Sequence, residues 1–275
     1  MAPAMARRIS IPTPLKAPTR SSKVPSHHHR PPSLTPSRFK KQNGSGDDVF
    51  ARLFAASLDP DSAPLSPEPR ILKSRLVADE TLYGLFLLRS SPTLAGYDYV
   101  VVDMEHGSGG IAEALPCLRA LAAARTPAIL RLPELSAACA KKALDLGPQG
   151  LMFPMIESPG AAELAVSFCR FPPHGVRGST HTVVRASAYG IDDGYLARVD
   201  EELLVMCQVE TAAGVAEIEV IAGVEGVDVV QMEPLDLSAS MGYLWDPRNR
   251  KVRDAMKEAE RKVLGKNPRN RKARP

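Results

Sequence analysis

The first forty-six residues contain no aspartate and no glutamate. No run of about eighteen uninterrupted apolar residues occurs in the chain, so no membrane-spanning helix is expected. Aromatic residues are scarce, at 5%, and a core must be built mainly from aliphatic side chains. The four cysteines, Cys117, Cys139, Cys169 and Cys207, form no CxxC pair and have no regular spacing. That pattern argues against a zinc ribbon or a dithiol redox motif and reads as reduced structural thiols. The one glycine cluster, Gly107, Gly109 and Gly110, lacks GxGxxG spacing and follows an acidic pair, which disfavours a dinucleotide site.

What is present is an apolar fraction of 44%, enough for a packed core, and an unevenly spread charge. The net charge is +4 over 275 residues. Residues 1–46 carry nine Lys or Arg, and residues 247–275 carry twelve basic and three acidic residues. The middle holds fourteen basic against twenty-eight acidic residues. A nucleic-acid binder carries its basic charge on the folded part. Here the ends carry it, so no nucleic-acid partner is expected.

Residues 1–46 are rich in Arg, Lys, Ser, Pro and Thr and have no apolar secretory core. They read as an organellar transit peptide, chloroplast ahead of mitochondrion on their proline and serine content. A basic disordered arm is the other reading. His27, His28 and His29 sit among prolines with no second ligand cluster near. Residues 47–78 read as a linker with a short helix near Val49–Ser57, and 265–275 as a disordered basic tail.

Between 79 and 264 short β-branched runs alternate with helical segments. Strands are expected at Tyr83–Leu88, Tyr99–Asp103, Ala128–Arg131, Gly150–Phe153, Leu203–Gln208 and Val227–Gln231. Helices are expected at Gly110–Arg125, Ser136–Leu146, Gly160–Arg170, Thr211–Ala222 and Arg250–Val263. Such alternation gives a parallel sheet with crossover helices. An open doubly wound sheet and a closed (β/α)8 TIM barrel both satisfy it. Polar residues end several strands: Glu105 and His106, Arg131, Gln208 and Glu210, Glu233 and Asp236. A ring of charge at strand C-termini is where barrel enzymes keep their chemistry. Carboxylates suit Mg²⁺ or Mn²⁺, an arginine suits a carboxylate or a developing oxyanion, and a histidine suits a general base.

At these residues the chain resembles the HpcH/HpaI aldolase family. The runs are VVVDMEHG (100–107), ILRLP (129–133), KKALDLGPQGLMFPMI (141–156), FPPHGVRG (171–178), CQVET (207–211) and EPLDLSASMG (233–242). The resemblance spans about residues 81–263 and implies a TIM barrel of the phosphoenolpyruvate/pyruvate type, here without its last two β/α units. It implies that Glu210 and Asp236 ligate a divalent ion, Mg²⁺, Mn²⁺ or Co²⁺. Gln208, Asp236 and the backbone at Leu235 would hold the pyruvate moiety. Arg131 would bind substrate and stabilise an enolate, His106 would act as base, and Asp145 would raise the basicity of that histidine. The implied reaction is reversible cleavage of a 4-hydroxy-2-oxo acid to pyruvate and an aldehyde. The implied partners are a small oxo-acid substrate and further copies of the chain, a hexamer in the family. Glu233 departs from the family's Gly-Pro-x-Asp-Leu loop and sets an extra charge beside the metal position, which implies impaired activity. A non-catalytic relative and a citrate- or malyl-CoA-type lyase of the same barrel class are the alternatives.

Overall fold

The runs Tyr99–Asp103 and Ala128–Arg131 are buried at every position, as only strands covered on both faces can be. The computed structural model describes residues 9–10, 72–88 and 97–265. Seven parallel strands lie side by side in chain order. They are β1 (Ile9–Ser10), β2 (Leu82–Leu87), β3 (Tyr99–Asp103), β4 (Ala128–Arg131), β5 (Gly150–Phe153), β6 (Leu204–Val209) and β7 (Val229–Met232). The helices are α1 (Leu72–Val77), α2 (Ile111–Ala123), α3 (Ala137–Asp145), α4 (Pro159–Cys169), α5 (Tyr195–Glu202), α6 (Ala212–Ala216), α7 (Ile218–Ile221), α8 (Pro234–Ser240) and α9 (Arg250–Gly265). The six strands from β2 to β7 form a curled half-barrel. All six expected strands are present, with ends shifted by no more than two residues.

Side chains along a strand alternate between faces, and this sheet uses both faces for packing. Val100, Val102, Leu130, Leu151, Phe153, Val205, Cys207 and Val209 point outward into a core shared with the helices. Tyr99, Val101, Ile129, Met152, Leu204, Met206 and Val229 point inward and fill the concave face. Each fully buried aliphatic side chain contributes roughly 1.5–3 kcal/mol, so these two layers carry most of the stability.

Three features differ from the sequence expectation. Helix α1 lies inside the expected linker and inserts Leu72 and Leu76 into the inward core. It is tied down by Leu72 N–H donating to Gln149 Oε1 at 3.1 Å and by the Lys73–Asp228 ion pair at 3.0 Å. The expected helix Thr211–Ala222 is broken at Glu217 into α6 and α7. Gly214 is the reason a helix can press so close here, since a Cβ on it would lie 3.0 Å from a Val209 methyl. Finally, α9 continues through Lys262 to Gly265. The short helix near Val49–Ser57, the histidine triplet and residues 266–275 lie outside the described residues, as does all of 1–46 except β1. Among the described residues no helix is long and apolar enough to cross a membrane.

Gly84 shows how tightly the concave core is filled. A Cβ there would fall 2.1 Å from the Tyr99 ring, and Tyr99 is itself fully enclosed. Gly84→Ala should therefore destabilise the protein by about 1–3 kcal/mol through overpacking. Chemical denaturation checks this, and an unchanged midpoint would show that the Tyr99 ring can yield.

Candidate active site

The inward phase of each strand changes character near its C-terminal end. Val101 is followed by Asp103, Ile129 by Arg131, Met206 by Gln208 and then Glu210, and Val229 by Gln231 and then Glu233. Residues two apart share a face, so all of these polar groups enter the same concavity above the apolar layer. Strand register sets them side by side: Asp103 pairs with Arg131, and Gln208 with Gln231.

Arg131 is the hub, with only 5% of its surface exposed. Its Nε donates to Asp103 Oδ1 at 2.8 Å and its Nη2 to Asp103 Oδ2 at 2.5 Å. Its Nη1 lies 3.0 Å from Glu105 Oε2 and donates to Gln208 Oε1 at 3.4 Å. The guanidinium lies 4.8 Å from the centroid of the Phe86 ring. Asp103 Oδ1 also accepts the Glu105 and His106 backbone N–H groups, at 3.0 and 3.3 Å. That carboxylate therefore folds the loop after β3 as well as orienting the arginine. Burial would raise the Asp103 carboxyl, but the Arg131 hydrogen bonds and charge outweigh it and hold it below the usual aspartate range.

Glu210 Oε1 accepts two hydrogen bonds, from Met155 N–H at 2.7 Å and Gln208 Nε2 at 3.1 Å. Met155 reaches it from a left-handed backbone, φ +53°, an uncommon state for a residue with a side chain and one concentrated at functional sites. Asp236 stands in the first turn of α8, close enough to Glu210 for its charge to oppose ionisation there. Leu235, beside it, is exposed. Its N–H lies near the Glu233 carboxylate without closing a helix cap.

The structure thus brings Arg131, Gln208, Glu210, Leu235 and Asp236 to one end of the sheet. His106 sits at the rim with 65% of its side chain exposed, its Nε2 3.9 Å from Glu105 Oε1. Asp145 is not brought to His106 within one chain. It ends α3, and α3 runs back antiparallel to β4, so it delivers Asp145 to the opposite end of the sheet. Its charged neighbours there are Arg177 and Lys141, and burial raises its carboxyl. Arg177 is enclosed between Phe171 and Tyr195 and donates to the Tyr195 hydroxyl at 2.7 Å.

Asp103 escapes the sequence reading as a site residue, since it looked like the last residue of a strand, and Glu105 stood among the polar strand ends without an assigned role. The signal for Asp103 was its position, two residues after inward Val101 and in register with Arg131. A separate cleft of about 530 Å³, lined in part by Pro159, Val166, His174 and Val220, opens between α4 and α7 on the helical layer. It shares no residue with this site.

Burial raises the carboxyls of Glu105, Glu210 and Glu233, and each acts on one or more of the other acids. Arg131 is the cation that counters all three. A raised carboxyl destabilises the fold once it ionises, so stability returns as the pH falls through those raised values toward the ordinary glutamate range. Asp103 has the opposite sign: its contribution persists through that window and is lost only as the pH falls through its lowered value. The melting temperature should therefore rise on mild acidification from neutral pH and fall again once the pH drops below the ordinary aspartate range. A melting temperature that only falls on acidification from neutral pH would refute this balance.

A family model, HpcH/HpaI aldolase/citrate lyase, matches residues 83–270. The hydroxypyruvate/pyruvate aldolase of Deinococcus radiodurans is 35% identical over 212 residues, covering 75% of this chain and 76% of that protein. The 2-keto-3-deoxy-L-rhamnonate aldolase of Salmonella gallinarum is 36% identical over 177 residues, covering 62% of this chain and 66% of that protein. Among solved structures, an HpcH/HpaI aldolase/citrate lyase family protein of Burkholderia cenocepacia superposes with a TM-score of 0.67 at 40% identity, covering 71% of this chain and 82% of that one. With its curled parallel sheet and its polar strand ends, the chain belongs to the HpcH/HpaI aldolase/citrate lyase family.

Proposed function

We propose that this chain is a divalent-metal-dependent lyase that cleaves a 4-hydroxy-2-oxo acid to pyruvate and an aldehyde. The convergence of Glu210 and Asp236 with the Arg131–Asp103 pair and Gln208 at one end of the sheet carries this reading. The half-barrel then corresponds to six β/α units of a (β/α)8 barrel of the phosphoenolpyruvate/pyruvate type. The acid-free segment 1–46 supports import into an organelle, the chloroplast first.

The donor set fits a hard cation. Acidic groups outnumber the one guanidinium. Both hydrogen bonds to Glu210 fall on Oε1, so Oε2 is the oxygen left to face an ion. Among the described residues no three His, Cys, Asp or Glu side chains are gathered closely enough to hold a metal. Mg²⁺ binds through one or two carboxylates and keeps several waters, so a pair of carboxylates would suffice. Glu210 and Asp236 would hold it. When bound, it would polarise the substrate ketone and offset charge developing on the ketone oxygen.

The chain's own groups supply the rest. Asp103 grips Arg131 in a two-bond fork and Glu105 and Gln208 face its Nη1, so the guanidinium is held with its remaining Nη2 N–H preorganised toward a developing oxyanion. Gln208 and the Leu235 N–H would bind the substrate carboxylate. His106, free at the rim, would accept the proton of the C4 hydroxyl as the C3–C4 bond breaks. The electron pair of that bond passes into the enolate, which takes a proton at C3 to give pyruvate. Glu105, rather than Asp145, is the carboxylate next to His106 within one chain.

Exchange of the pyruvate methyl protons with deuterated water, followed by proton NMR at saturating pyruvate and Mg²⁺, tests this reading. Exchange should stop on chelation and fall roughly a hundredfold or more in Arg131→Ala. His106→Ala should lose carbon–carbon cleavage by a similar factor. No exchange above background from folded protein with metal would refute the proposal.

A further inference from the structure

Glu233 follows β7 directly and continues its inward phase after Val229 and Gln231. Its N–H donates to the Val209 carbonyl at 3.2 Å, and its own carbonyl accepts the Leu237 N–H at 3.0 Å. These bonds hold its Cα next to the β6 end that carries Glu210, and at the start of the helix that carries Asp236. The side chain is partly withdrawn from solvent and lies within electrostatic reach of Asp236, Arg131 and Glu210.

The arrangement around Arg131 does not need this fifth carboxylate. Asp103 already takes two of its donors, and Glu105 and Gln208 face the third nitrogen. Glu233 itself forms no ion pair within 4.0 Å among the described residues. Backbone bonds thus fix the Cα of an acidic residue beside Glu210 and Asp236, and its charge acts on both of them and on Arg131. Any oxo-acid entering there must bring its own carboxylate beside this one.

We propose that Glu233 is a specificity-determining residue that acts as a built-in competitor of the substrate carboxylate. It weakens the binding of oxo-acid anions and, through the same charge, favours the cation. This rests on the site reading given under the proposed function. The physical cause is like-charge repulsion in a partly desolvated site, where one charge a few ångströms away changes anion affinity by about tenfold or more. The same charge acts on the cation position of Glu210 and Asp236 with the opposite sign.

Oxalate, a planar dianion with the shape of an enolised oxo acid, is a suitable probe. It would be titrated by calorimetry into the full-length chain, into Glu233→Gln, which keeps size and removes charge, and into Glu233→Gly, which removes both. Each titration would be run with saturating Mg²⁺ and again with chelator, where Arg131 alone attracts the anion. Cation affinity would be read separately from the loss of the free Mn²⁺ paramagnetic signal. Oxalate should bind about tenfold or more tightly to Glu233→Gln than to the unaltered chain, with Mn²⁺ affinity lowered rather than raised. Equal oxalate affinity in the unaltered chain and Glu233→Gln would overturn the proposal, and so would a gain confined to Glu233→Gly. Loss of Mn²⁺ affinity in Glu233→Gln with no gain in oxalate affinity in the chelator arm would overturn it too, by making Glu233 a metal ligand. Failure of all three proteins to bind Mn²⁺ would remove the metal reading of the site, while the chelator arm would still decide the role of Glu233.

Discussion

The buried pair of Asp103 and Arg131 is the interaction on which the site depends. Two charges withdrawn from water are unfavourable unless geometry and further hydrogen bonds compensate them. Here both conditions are met. The guanidinium forks onto the carboxylate through two bonds, and the same carboxylate accepts two backbone N–H groups from the loop after β3. One side chain thereby fixes the cation of the site and the approach of His106. Arg131 in turn holds Glu105 and Gln208, and Gln208 holds Glu210. The polar residues form a chain of contacts, so loss of its first member leaves the buried guanidinium at its centre with two donors unsatisfied.

That network stands on an apolar floor. The lower inward residues of the sheet, with Leu72 and Leu76 of α1, pack into a single cluster beneath it. Without that floor the inward strand faces would be wet, and water would weaken each charge–charge contact above them. Stability and chemistry are therefore divided along the strand axis: aliphatic below, ionisable above. The period of two that builds the core is also the rule that selects which polar residues face the concavity.

Much of this was legible in the sequence. Alternation of β-branched runs with helical segments implied a parallel sheet, and the six expected strands are the six from β2 to β7. The order of polar residues at strand ends placed Arg131, Gln208, Glu210 and Asp236 together. Other elements were not legible for identifiable reasons. Leu72–Val77 is only six residues long and sits after a proline-rich stretch, so its helical signal was too short to separate from a linker. Helix α8 begins with Glu-Pro and spans seven residues, again too short for periodicity to show. Asp145 belonged to a motif, but a motif does not say which end of a helix meets the site. The antiparallel return of α3 carries it away from His106 and toward Arg177.

By itself the sequence determined the α/β class, the six strands and the set of ionisable residues near the strand ends, because these follow from local periodicity. Only the tertiary structure decided which of those residues touch. Strand register set Asp103 beside Arg131 and made it the partner that holds the guanidinium. The left-handed turn at Met155 aimed a backbone N–H at Glu210. The bond from Glu233 to Val209 pinned an extra carboxylate among the others. Each depends on pairing between segments far apart in the chain, and no local pattern of residues encodes that distance.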